Sequence, residues 1–176
     1  MTALAIIVGG VFLCFTFVVL VGPPYLPTLN KQLTTALDML DLKPGQTLLE
    51  LGCGDGKVLI AAAQRGWNVV GIELNPLLVL LCYIRTWRYR KQVRVVWGNY
   101  WQTSKWPAAD GVFGFVLPRF MAKLDRLLSA QYDSGALAPA PRKGSRPVLR
   151  LASFAFVIPG KKVVRERDGV FLYEYR

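Results

Sequence analysis

The sequence has no histidine. That absence removes Ser-His and Cys-His nucleophile pairs and most zinc hydrolase schemes. Cysteine is scarce and dispersed, at Cys14, Cys53 and Cys82. These three read as small apolar fillers in a reducing compartment, not as a disulfide framework or a zinc site, and no metal is expected. Charge is missing from one end. All 22 Lys and Arg and all 11 Asp and Glu lie at or after Lys31.

The uncharged end holds the apolar excess behind a hydrophobic fraction of 53% and a mean hydropathy of +0.32. From Ala3 to Gly22, Thr16 is the only polar side chain. A helix of that length spans roughly 30 Å, the thickness of a bilayer core. A retained single-pass membrane anchor fits better than a cleaved signal peptide, because no basic n-region precedes the run and the run is long. The remainder carries the whole net charge of +11. The positive-inside bias puts it on the cytoplasmic or matrix side. A basic domain beside an anchor suits an anionic lipid surface. Nucleic acid ranks lower as a partner, since the anchor already gives the charge a reason.

The length of 176 residues supports one domain with an appendage. Residues 1–22 read as the anchor, 23–46 as linker and lead-in helix, and 47–176 as the main domain. Pro23, Pro24 and Pro27 make a stiff linker that cannot continue a helix. Leu33, Ala36, Leu37 and Leu40 have helical spacing over 30–40, and Lys43-Pro44-Gly45 is a turn. Strands are expected at 47–51, 68–74, 93–97, 110–117 and 149–158. Helices are expected at 57–65, from Pro76 to about 89, and at about 119–129, and 134–147 reads as a loop. A hairpin, 162–167 with 170–175, closes the chain around Asp168-Gly169. The alternation implies an α/β fold: a parallel sheet with an antiparallel edge.

The most informative stretch is Leu48–Ile60. Glu50 ends an apolar strand, Gly52, Gly54 and Gly56 follow at every second position, and a second strand ends at Glu73. Glycines in a strand-to-helix turn let a ligand approach bare backbone, and the helix start offers free N–H groups. A dinucleotide loop would need glycine where Lys57 stands. Glu50 and Asp55 would repel a pyrophosphate and suit a cationic ligand. S-adenosyl-L-methionine carries a sulfonium and an ammonium and no phosphate. Glu73 is placed to accept ribose hydroxyls, as the acid does in the dinucleotide fold.

Several further pieces stand in order: PYLPT at 24–28, LLELGCGDGKVLIAAAQRG, GIELNPLLVLL, GNYW at 98–101, and VFG followed by LPRFMAKLDRLL. Over roughly residues 23–176 the chain resembles the class I S-adenosylmethionine-dependent methyltransferases. More narrowly it resembles the small membrane-anchored lysine methyltransferases related to the ATP synthase c-subunit and adenine nucleotide translocase enzymes. The resemblance implies a Rossmann-like class I sheet preceded by one transmembrane helix, and a lysine of a membrane-embedded or membrane-proximal protein as methyl acceptor. It implies that Glu50, Gly52, Gly54, Asp55 and Gly56, with Cys53 among them, line the methionine end of the cofactor. Glu73 would hold the ribose and Leu74 would lie against the adenine. Asn99 stands where the family usually has Asp, and its side-chain oxygen can still accept from the adenine amino group. Tyr100 joins the cofactor set; Trp101 packs near the cofactor or in the core. Tyr25 and Thr28 would close over the site from the linker, which otherwise is a plain spacer.

Amine methyltransferases acting on planar substrates often carry Asn/Asp-Pro-Pro-aromatic after the fourth strand. Here the segment is Val116-Leu117-Pro118-Arg119-Phe120, and only Pro118 survives, as in the resembled family. That disfavours an adenine in nucleic acid. Tyr25 and Pro118 are the expected catalytic residues, with Tyr25 and Phe120 as aromatic walls that desolvate a lysine and lower its pKa. Two rival readings keep the same features. One is a methyltransferase for a lipophilic small molecule. The other is a non-catalytic cofactor-binding membrane protein, to which Asn99 and the lack of a helix before the hairpin give weight.

Overall fold

The computed structural model describes residues 4–5, 8–9, 28–102, 106–137 and 148–176. Helix α1 (Asn30–Leu40) leads into strand β1 (Thr47–Leu51), helix α2 (Lys57–Gln64) and strand β2 (Asn68–Glu73). Helix α3 (Pro76–Thr86) ends in a 3-10 turn, Trp87–Tyr89, before strand β3 (Val93–Trp97). Strand β4 (Gly111–Gly114), helix α4 (Pro118–Asp133) and strands β5 (Leu149–Phe154), β6 (Arg165–Arg167) and β7 (Val170–Tyr175) complete it. The seven strands form one sheet in the order β3-β2-β1-β4-β5-β7-β6. Strands β1 to β5 are parallel, and β7 runs antiparallel between β5 and β6.

Strand β1 is the centre. Leu48 packs among the apolar side chains of α1, α2 and α3, and Leu49 among those of α4. Alternate residues point to opposite faces, so a strand with helices on both sides reads as one continuous apolar run. Each helix contributes one buried face: Leu33, Ala36, Leu37 and Leu40 from α1, and Met121, Leu124 and Leu128 from α4. Because β1 pairs with β2 on one side and β4 on the other, strand order reverses beside it. Loops leaving β1 and β4 diverge there, which opens a crevice at the carboxyl ends of the strands.

Several expected boundaries move. Strand β5 stops at Phe154, not at 158, because Ala155 turns left-handed at φ 68 and Ser153 Oγ donates to the Phe156 carbonyl. Strand β4 ends at Gly114, and α4 runs on to Asp133. The first hairpin strand shortens to Arg165–Arg167, and it forms one edge of the sheet, opposite β3. Of the expected anchor, only residues 4, 5, 8 and 9 are described; they are helical, with Leu4 and Val8 exposed. Among the described residues no helix is long and apolar enough to cross a membrane.

Candidate active site

The turn after β1 is tied to β2 through its backbone. Gly52 and Cys53 N–H groups both donate to the Ile72 carbonyl, at 2.8 and 3.1 Å. Glu73 holds the same turn: its Oε2 accepts from Gly54 N–H at 2.9 Å and its Oε1 from Asn75 N–H at 2.8 Å. Each carboxylate oxygen has a second lone pair, so Glu73 fixes the loop and can still accept ribose hydroxyls. Leu74 follows, half-buried, with its carbonyl accepting from Trp97 Nε1.

The three loop glycines all have positive φ, at 79, 51 and 78 for Gly52, Gly54 and Gly56. Their uses differ. A Cβ on Gly52 would meet no atom within 4 Å, so this backbone faces open space that a ligand can reach. A Cβ on Gly56 would lie 2.6 Å from Cys82 Sγ and 3.1 Å from Thr86 Cγ2. Gly56 is therefore required by the close approach of α3, not by a ligand. Cys53 is buried, with its side chain turned inward against Gly71.

The two loop acids separate sharply. Asp55 accepts from Lys57 N–H and forms an ion pair with Arg85 of α3, so its charge is already balanced. Glu50 is 4% exposed, and its Oε2 has no hydrogen-bond partner. Burial pushes its carboxyl well above the ordinary range, reinforced by Cys82 and Glu73. A buried carboxylate without a partner is strongly unfavourable. The orphaned oxygen fits a cationic group, and of the two acids only Glu50 retains that demand. After β2, Asn75 is fully buried; its Oδ1 caps α3 by accepting from Leu77 N–H at 2.9 Å, while Nδ2 has no partner.

The other expected residues lie on other loops. Thr28 is buried, and its carbonyl accepts from Lys57 Nζ at 2.8 Å, which clamps the end of the linker onto the start of α2. Tyr25 lies outside the described residues. After β3, Asn99 Oδ1 accepts from Trp101 N–H at 2.9 Å and so shapes the turn that presents the aromatics. Tyr100 is buried, and burial and the nearby Glu73 raise its pKa. Trp101 is half-buried, 4.6 Å from the Tyr100 ring and 5.5 Å from Phe120, with Lys123 Nζ 4.7 Å over its own ring. Pro118 is exposed and opens α4, where its fixed φ and missing N–H suit the first turn.

The position of Lys57 marked the loop as unlike a dinucleotide site, but its contact with Thr28 spans 29 residues and had no signal in the sequence. Arg85 was visible only as part of a basic helix end. Its pairing with Asp55 depends on how α3 crosses the glycine turn.

A family model described as the ANTKMT methyltransferase domain matches residues 50–165. The chain belongs to this family. The ATP synthase c-subunit lysine N-methyltransferase of Homo sapiens is 31% identical over 121 residues, covering 68% of this chain and 51% of that protein. The adenine nucleotide translocase lysine N-methyltransferase of Mus musculus is 32% identical over 116 residues, covering 64% of this chain and 50% of that protein. The chain thus spans about half the length of these two relatives. A protein-lysine N-methyltransferase of Saccharolobus islandicus is 28% identical over 163 residues, covering 85% of this chain and 92% of that protein. In fold, an RNA methyltransferase of Salinibacter ruber in complex with S-adenosyl-L-homocysteine superposes with a TM-score of 0.68 at 24% identity, covering 85% of this chain and 92% of that one. S-adenosyl-L-methionine is the cofactor consistent with this methyltransferase family, and the open Gly52 backbone and orphaned Glu50 oxygen fit it.

Proposed function

We propose that this chain is a protein-lysine N-methyltransferase acting on a membrane-embedded or membrane-proximal protein. The observation that carries the reading is the buried, unpartnered Glu50 oxygen at the end of β1, in a chain of the ANTKMT methyltransferase family. The curated relatives bear the names of lysine N-methyltransferases for the ATP synthase c-subunit and for adenine nucleotide translocase. When bound, S-adenosyl-L-methionine supplies an electrophilic methyl group. Glu50, the 52–56 turn and Asn75 would hold its methionine end, Glu73 the ribose, and Leu74 with Asn99 and Tyr100 the adenine side.

The protein's remaining task is to align a neutral amine. Trp101 and Phe120 form an aromatic wall beside Pro118. Arg119 lies 4.7 Å from the Phe120 ring centroid, and Lys123 lies over Trp101. Desolvation by the rings and repulsion by these cations both lower the pKa of an incoming lysine. Tyr25 and Thr28 would close the site from the linker, and Thr28 already sits against Lys57. A membrane anchor at 3–22, with the domain on the cytoplasmic or matrix side, would confine the search for substrate to two dimensions. The uncharged run and the basic remainder support it.

The test is transfer of a labelled methyl group into a fractionated membrane extract, followed by mapping of the modified residue. Label on a protein lysine is the expected result. Label in the lipid extract would select a lipophilic small-molecule substrate instead. Tight binding of S-adenosyl-L-homocysteine without transfer to any fraction would select the non-catalytic reading.

A further inference from the structure

Helix α3 has an inner face of Leu78, Val79, Cys82 and Thr86, all buried against the sheet side. Its outer face is also apolar. Leu77, Leu80, Leu81 and Ile84 recur at the 3–4 residue spacing of one helical stripe, and Trp87 extends it into the 3-10 turn. Leu80 is 58% exposed, and Ile84 and Trp87 are each 66% exposed. Tyr83, also exposed, borders the stripe with its hydroxyl tied to the Val95 carbonyl. Trp97, at the end of the sheet-edge strand β3, is 68% exposed. Five large apolar side chains exposed together along one helix mark a docking surface.

The charges around the stripe identify what docks. From Leu74 to Trp97 the sequence holds Arg85, Arg88, Arg90, Lys91 and Arg94 and no acidic residue. All five are exposed. The nearest acid shown is Asp55, which is paired with Arg85. Leucine and isoleucine on one face, a tryptophan at its end, and basic side chains at its border are the pattern of a helix lying in the plane of a bilayer interface. A second copy of the chain would bring the same cations to meet one another across the contact, which is unfavourable. Anionic headgroups would neutralise them.

We propose that α3 is an interfacial helix: its Leu77–Trp87 stripe seats in the acyl–headgroup boundary of an anionic membrane, with Arg88, Arg90 and Lys91 on the phosphates. The inference does not depend on methyl transfer or on an N-terminal anchor. It does fix an orientation. The stripe begins at Leu77, in the first turn of α3 and four residues after Glu73, so a seated α3 holds the mouth of the cofactor crevice near the bilayer. Substrate lysines close to the membrane plane would then be within reach.

The test uses the full chain reconstituted in phosphatidylcholine vesicles brominated on the acyl chains, with and without phosphatidylglycerol. Tryptophan quenching is the readout, because vesicle attachment alone could come from the apolar run at 3–22. A quenched component present in the anionic vesicles and absent from Trp87→Phe is expected. The pair Leu80→Gln with Ile84→Gln should reduce it by about tenfold, since the polar amides replace the apolar face. Arg88→Gln with Lys91→Gln should remove its dependence on phosphatidylglycerol. Binding of S-adenosyl-L-homocysteine, measured by calorimetry, should be the same in all these variants, which also shows that they fold. Equal quenching in wild type, Trp87→Phe and the Leu80/Ile84 pair would overturn the proposal. So would a concentration-dependent cross-link through α3 in lipid-free detergent, which would give the stripe to a second copy.

Discussion

Two regions of this molecule hold groups whose natural partners lie outside the described fold, and they are opposites. At the end of β1, the carboxyl group of Glu50 is buried with one oxygen unpartnered. On the outside of α3, large apolar side chains stand in water. The first demands a cation and the second a non-aqueous phase. Helix α4 provides the control. It buries Met121, Leu124 and Leu128 as α3 buries its own inner face, but its outer side carries Arg119, Lys123 and Arg126. A helix on this sheet can therefore be solvated, and the apolar outer face of α3 is specific to it. The two regions are also joined. Cys82 and Thr86 of α3 press on Gly56, and Arg85 pairs with Asp55.

The largest expected effect comes from the joint itself. Gly56→Ala must place a Cβ 2.6 Å from Cys82 Sγ at φ 78. Left-handed strain and overpacking together should destabilise the fold by about 2–4 kcal/mol. A thermal melt would measure it, and both cofactor binding and α3 membrane seating should fall together. No change in the melt would mean that α3 and the turn are not rigidly packed.

Next comes Glu50→Gln, which acts on one region only. Loss of a charge-assisted contact should weaken S-adenosyl-L-homocysteine binding by about 1.5–3 kcal/mol, roughly 10- to 150-fold. Vesicle quenching through Trp87 should stay at the wild-type level. Equal loss of both would erase the separation between the regions.

The same variant has a pH signature. Burial raises the Glu50 carboxyl above its ordinary value of 4.5. The folded protein then keeps a proton that the unfolded chain has released. This group's contribution to stability is full below pH 4.5 and is lost as pH rises through the raised value. Glu50→Gln removes that loss, so its melting temperature relative to wild type should climb with pH above 4.5. A cationic ligand stabilises the carboxylate, so binding within that window should release protons. Calorimetry in two buffers of different ionisation enthalpy would detect them, and no release would contradict the placement of a cation against Glu50.

The smallest effect belongs to Arg85→Gln. The Arg85–Asp55 pair is partly exposed, with side chains 39% and 21% accessible. Its removal should cost about 0.3–1 kcal/mol of stability, diminishing with salt. A larger loss of cofactor binding than of stability would show that the pair positions the glycine turn.

Much of this was legible in the chain. The central parallel strands announced themselves as apolar runs, and the helices expected from 57 to 65 and from Pro76 begin where the fold begins them, the first ending one residue earlier. The strand ends were less legible. Nothing near Ala155 signals a left-handed residue, so β5 reads four residues too long. In the glycine turn the sequence picks out the residues but not the different surroundings the fold gives them. Gly52 and Gly56 look equivalent in sequence, yet the first faces open space and the second a helix contact. Asp55 and Glu50 look equally available, yet one is neutralised by a residue 30 positions away.

The sequence by itself determined the class of fold, a glycine turn suited to a cationic nucleoside cofactor and its mismatch with a dinucleotide loop. Local pattern suffices there, because alternation, glycine spacing and the identity of residue 57 act over a few residues. Only the tertiary structure decided which acid stays unpaired, which glycine is open and which leucines of α3 face outward. Those outcomes depend on which atoms come within a few ångströms across distant chain segments. Hydrogen bonding, ion pairing and burial are set at that range, and linear spacing does not encode it.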